Sequence, residues 1–116
     1  MLPDRDRVFI AQMVEGAEAA LEFSEGHTAE SFAGDRLVGF AVVRAIQLVG
    51  QAPRGVSEPV RRAHQDIPWP QMIGMRNVVV HDYADVDLAL VWKTVRDDLP
   101  SLIRRLNAIL AESGAS

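Results

Sequence analysis

Near the middle of the chain, the run Arg76-Asn77-Val78-Val79-Val80-His81-Asp82-Tyr83 sets groups able to bind anions or move protons around an otherwise apolar stretch. Imidazole is the side chain whose ordinary pKa lets it take up and release protons near neutrality, and a guanidinium forks onto phosphate oxygens. His81 and Arg76 are therefore able to move a proton and to bind an anion. Asn77 could position either group through its amide. The plainer alternative is that Arg76 and Asp82 are solvated while His81 caps carbonyls at a helix C-terminus, where a cation is favoured. The other two histidines, His27 and His64, stand in polar contexts with no second ligand at metal spacing and read as surface residues. Cysteine is absent, which removes thiolate zinc sites and disulfides together, so neither a metal nor a cofactor is expected.

At about 100° per residue, Arg76 and His81 are roughly 140° apart around an ideal helix, so one copy of the segment does not aim both at one point. Asn77 and His81, four residues apart, share a face, and Tyr83 falls seven residues after Arg76 on nearly the same line as it. Such an arrangement suits a site shared by two copies of the segment.

The elements that must position this run are helical in pattern. Val8, Ile10, Met13, Val14, Ala17, Ala20 and Leu21 predict a first helix from about Pro3 to Phe23, closed by Gly26. Thr28 ahead of Glu30 gives a partial capping signal for a second helix, carried by Phe32, Leu37, Phe40, Val42, Ala45, Ile46 and Val49 and stopped near Gly50 and Pro53. That helix bears two apolar stripes, Leu37/Phe40/Ala41/Leu48 and Val38/Val42/Ala45/Ile46/Val49, wider together than one packing face requires. Either it is central to the bundle or its second face meets another subunit. A short amphipathic piece at Ser57 to His64 follows. Pro70 then opens a helix expected to reach about Tyr83, since no alternating segment exists to pair Val78-Val79-Val80 as a strand. The last helix starts near Asp85 or Asp87 and runs to Leu110, with Pro100 expected to bend or break it. The pattern predicts an all-α chain, an antiparallel four-helix bundle with a short additional helix.

A chain of 116 residues, 48% hydrophobic and 24% charged, has the composition of one globular domain, and residues 1–116 are expected to form it. No apolar run approaches the roughly 20 residues that span a bilayer, and the start MLPDRDRVFI is charged, so no membrane association and a cytoplasmic location are expected. Twelve basic against sixteen acidic residues give a net charge of −4, the wrong sign for coating nucleic acid through bulk electrostatics. Eleven of the twelve basic residues are nevertheless Arg. Arg54, Arg61 and Arg62 make one local cluster that could contact RNA, and Arg104 with Arg105 makes another, although charge clusters commonly just face water. Trp69 and Trp92 belong to helical apolar patterns and are expected to pack rather than stack on bases.

The stretch from Val42 to Leu102 resembles the HepT-like branch of the HEPN superfamily. The resemblance is carried by VVRAIQLVGQA, by DIPWPQMIGMRNVVVHDY and by VDLALVWKTVRDDLPSL, and most specifically by RxxxxHxY, filled by Arg76, His81 and Tyr83. It implies a four-helix-bundle homodimer whose paired RxxxxH motifs form a metal-independent endoribonuclease. In this family the enzyme is commonly the toxin of a toxin–antitoxin pair, neutralised by an MNT-type nucleotidyltransferase antitoxin. It also implies Arg76, His81 and Asn77 as catalytic residues, and Tyr83 as the tyrosine that the partner adenylylates (AMPylation). The sequence departs from the family at Gly50-Gln51-Ala52, where an acidic residue is frequent, and at Phe40 and Ala45, where polar residues are. An alternative compatible with the acidic charge is a non-catalytic HEPN dimer that holds a nucleotidyltransferase or a nucleotide.

Overall fold

The structure, a computed structural model, describes residues 2–75 and 86–114. Among these, every regular element is a helix, as the periodicity predicts.

Helix α1 spans Asp4–Ser24 and buries Ile10, Met13, Val14, Ala17 and Ala20 along one side, while Val8, expected on that side, is exposed. It ends in a turn at Gly26, whose φ of 82° lies in the left-handed region that favours glycine. The expected second helix is two helices. Thr28 caps α2 (Ala29–Gly34) through a box with Ser31, each side chain accepting from the other residue's backbone N–H. At Asp35 the backbone turns extended, and its carboxylate accepts from Val38 N–H at 3.0 Å to start α3 (Arg36–Gln51). Gly34 and Asp35 explain the break: glycine weakens a helix interior, and Asp competes for backbone N–H groups better at a cap than within a helix.

A 3₁₀ turn at Ala52–Gly55 leads to α4 (Glu58–Ala63) and then α5 (Trp69–Gly74), which has Pro70 in its first turn. Asp87 caps α6 (Leu88–Lys93) by accepting from Leu90 N–H at 3.1 Å. The expected disruption at Pro100 takes a specific form. A π turn at Thr94–Asp98 precedes α7 (Leu99–Gly114), and Leu99 N–H donates to Thr94 C=O, one residue further back than in an α-helix. The wider turn gives room where the proline ring would press on the carbonyl four residues earlier, so helical structure continues through Pro100 instead of stopping.

α1 packs along α3 on one side and α7 on the other. Their shared core holds Ile10, Met13, Val42, Ile46, Val49, Val95, Leu99 and Leu106, with Met72 of α5 and Phe32 of α2 closing it. The α1–α3 approach is close because residue 16 is glycine: a Cβ there would lie 3.0 Å from Val49 Cγ2 and 3.1 Å from the Ala45 carbonyl oxygen. Among the described residues no helix is long and apolar enough to cross a membrane.

Candidate active site

Arg76, Asn77, His81 and Tyr83 lie outside the described residues, as does the stretch expected to carry α5 on to Tyr83. What the structure gives is the frame on either side of them. On the entering side, Pro68 precedes α5, Trp69 is buried, and its indole N–H donates to the His64 carbonyl at 3.0 Å, pinning the α4–α5 turn. Met72 is fully buried, and Met75 keeps helical backbone angles (φ −60°, ψ −27°), so residue 76 is entered from an anchored helix end. On the leaving side, Asp87 caps α6, whose Val91 is buried in the core.

Beside the entering end is a cleft of about 410 Å³ between α5 and the start of α7. Gln71, Met75, Asp97, Asp98, Ser101 and Arg105 are among its lining residues, so its polar wall is mixed in charge. Arg105 is committed to one side of it, donating to the Asp66 carbonyl at 2.8 Å.

The cluster Arg54, Arg61 and Arg62 is spread over two elements with different surroundings. Arg54 is exposed in the 3₁₀ turn. Arg62 pairs with Glu58 one turn earlier on α4, both side chains well exposed, a kind of pair that contributes little to stability. Arg61 is half-buried, and its Nε is shut off from solvent without a hydrogen-bond partner among the described residues. The two tryptophans pack, as their patterns suggest. Trp69 belongs to the core, and Trp92 lies 5.4 Å from Phe32 between ring centroids, with the Arg96 guanidinium 5.7 Å from its own. His27 Nδ1 lies 3.0 Å from Ser31 Oγ, and no group of three or more His, Asp or Glu side chains placed to hold a metal ion occurs among the described residues.

Sequence reasoning passed over Asp6, the one carboxylate buried among the described residues, at 2% exposure. Its two oxygens accept from the backbone N–H and from the hydroxyl of Ser57, the latter at 3.0 Å. Ser57 is the N-cap residue of α4 yet makes no capping bond of its own, because its hydroxyl is turned to Asp6. The signal was available: Asp6 stands four residues before Ile10 and so on the buried side of α1.

An all-α bundle in which helices bracket a segment carrying RxxxxHxY is a HEPN-type domain. The model of the ribonuclease HepT-like family matches residues 13–109, a span that includes Arg76 to Tyr83. The chain belongs to that family and is, with it, a ribonuclease. It is 36% identical over 94 residues to a probable ribonuclease HepT of Thermococcus cleftensis, covering 81% of this chain and 86% of that one. A Methanocaldococcus jannaschii protein provisionally named an RNase is 28% identical over 103 residues, 89% of this chain and 94% of its own. One of Caldanaerobacter subterraneus, named in the same way, is 27% identical over 104 residues, 90% and 93% of the two chains. No solved structure gives a significant match.

Proposed function

We propose that the chain is a metal-independent endoribonuclease acting as a homodimer, with Arg76 and His81 of paired segments forming the site. The observation that carries this reading is the ribonuclease family match running through the intact RxxxxHxY motif. In the reaction, the ribose 2′-oxygen attacks the adjacent phosphorus as its proton passes to a base. The bond to the 5′-oxygen breaks, and that oxygen takes up a proton, leaving a 2′,3′-cyclic phosphate and a 5′-hydroxyl. His81 is suited to these proton transfers, and Arg76 to the charge that builds on the phosphorane oxygens. Asn77 orients one or the other. Arg54, Arg61 and Arg62 are the candidate contacts to the flanking RNA backbone. Of these, Arg54 is exposed, whereas Arg61 Nε is shut off from solvent and Arg62 must first leave Glu58.

The enzyme is the toxin of a pair with an MNT-type nucleotidyltransferase, which would restrain it by adenylylating Tyr83. That hydroxyl is two residues from His81, so the added nucleotide would place a bulky anion beside the site. The test is cleavage of a single-stranded RNA by purified wild-type protein and by His81→Ala, with the 3′ ends analysed for cyclic phosphate. Cleavage at the wild-type rate by His81→Ala would remove the catalytic assignment and favour the non-catalytic HEPN dimer.

A further inference from the structure

The cleft of about 410 Å³ between α5 and the start of α7 borders the proposed chemistry, since Met75 on its wall is the residue before Arg76. Its size is at the lower end of the roughly 300–1,000 Å³ of cavities that hold small organic groups. Four polar side chains line it: Gln71 from α5, Asp97 and Asp98 from the π turn, and Ser101 from α7. None of the four makes a hydrogen bond or ion pair through its side chain with another described residue. Arg105, also on the wall, uses Nη1 on the Asp66 carbonyl. Asp98 is the last residue of the π turn, and the backbone is α-helical from Leu99 onward. Asp98, Ser101 and Arg105, at i, i+3 and i+7, therefore follow one side of the helix, with the Gln71 amide on the other wall. A carboxylate, a hydroxyl and a guanidinium stand in a row there, and all but one bond of that row is uncommitted.

We propose that this cleft holds a guanine base of the RNA substrate, flanking the bond that is cut, and that Asp98 is the residue that selects it. The inference rests on the ribonuclease reading above and names a feature of its substrate. Two carboxylates repel phosphate, so the part of RNA that fits beside them is a base and not the backbone. An ionised carboxylate only accepts hydrogen bonds. Guanine is the one base of the four with two adjacent donors, N1–H and N2–H, which the two oxygens of one carboxylate can accept side by side. Adenine and cytosine set an acceptor nitrogen next to their amino group, and uracil sets a carbonyl on each side of its single N–H, so each of them turns a lone pair towards Asp98. Guanine also has acceptors at O6 and N7, and Gln71 and the free nitrogens of Arg105 are donors. Met75 and Leu102 offer the ring apolar contact, as single-stranded RNA sites do for a base turned out of its stack.

The experiment measures kcat/KM of the full chain on single-stranded RNAs that differ at one position beside the cut, carrying guanine, adenine, cytosine, uracil or hypoxanthine, and repeats it with Asp98→Asn and Gln71→Ala. Asp98 and Gln71 are exposed, so both variants are expected to keep the wild-type helical spectrum. Wild type is expected to prefer guanine over adenine, cytosine and uracil by about tenfold or more, the size of one bidentate base contact. Hypoxanthine, which lacks the N2 amino group, should fall between guanine and the rest. Asp98→Asn should bring the ratio of guanine to adenine rates close to one; taking a ratio cancels the general gain in RNA affinity from removing a negative charge. Gln71→Ala should reduce the ratio by less. Equal cleavage of all five RNAs by wild type, or a guanine preference that Asp98→Asn leaves intact, would overturn the inference while the ribonuclease reading stands. Equal cleavage together with inhibition by an arginine-rich peptide that Asp98→Asn relieves would give the cleft to a basic protein segment instead. Should wild type cleave none of the RNAs, the catalytic reading fails, and saturable binding of guanosine but not adenosine, lost in Asp98→Asn, decides whether the cleft is still a guanine site.

Discussion

Replacing Asp6 by Ala is expected to cost the fold about 3 kcal/mol. The carboxylate is 2% exposed and accepts two hydrogen bonds from Ser57, whose backbone N–H is one of the donors at the start of α4 that no carbonyl within the helix satisfies. A hydrogen bond to a charged group is worth about 1.5–3 kcal/mol, and a donor left without a partner about 1–3 kcal/mol. Desolvation of the carboxylate offsets part of this sum, which leaves about 3 kcal/mol out of the roughly 5–15 kcal/mol that hold such a domain. For a chain of this size that is a fall in Tm of about 10 °C. Ser57→Ala should cost about 1 kcal/mol, because only the hydroxyl bond is lost and Ser57 does not cap its own helix. Asp6→Asn keeps an acceptor for the N–H and a donor for the hydroxyl oxygen, and should fall between wild type and Asp6→Ala. Urea unfolding of the three single variants and of D6A/S57A gives the coupling directly. A loss below about 0.5 kcal/mol for Asp6→Ala, the size of an ordinary surface substitution, would refute the idea that this pair ties α1 to α4.

Arg76→Ala and His81→Ala are each expected to slow RNA cleavage by about a hundredfold or more, measured on a labelled single-stranded RNA, with Tm close to wild type. Tyr83→Phe should retain cleavage but gain no adenylyl mass when expressed with a nucleotidyltransferase partner; intact-mass spectrometry decides. Cleavage should persist in EDTA, and a loss restored by one divalent ion would contradict the metal-independent chemistry. Gly16→Ala should destabilise by about 1 kcal/mol in urea despite alanine's better helix propensity, since its Cβ would meet the Ala45 carbonyl at 3.1 Å and Val49 Cγ2 at 3.0 Å.

The sequence made the helices legible because apolar spacing is a local signal: Ile10, Met13 and Ala17, or Val91, Val95 and Leu99, mark one side of a helix wherever that side ends up packing. Breaks were harder. Gly34-Asp35 lies inside a continuous apolar pattern, and only the cap from Asp35 to Val38 shows that the chain stops and restarts there. Pro100 pointed to a disruption but not to its form, since the π turn is a compromise between proline's ring and the burial of Val95 within the turn and Leu99 directly after it. Asp6 was less legible, since an acidic residue in a first helical turn ordinarily faces solvent and interacts with the helix dipole. The motif Arg76 to Tyr83 was visible as residue types and spacing, but the pairing of segments proposed to bring its side chains together is nothing that single-chain periodicity encodes.

The contacts around that motif have a common direction. Trp69 bonding back to the His64 carbonyl, Met72 in the core and Asp6 holding Ser57 all fix the route by which the chain enters residue 76. Asp87 capping α6 and Val91 in the core fix the route after residue 85. If Arg76 and His81 do the chemistry proposed above, the chain alone must place both, because no ion would organise the phosphate for them. The anchored entry and exit would supply part of that placement within one protomer. With roughly 140° between Arg76 and His81 on an ideal helix, the second copy of the proposed homodimer would supply the rest.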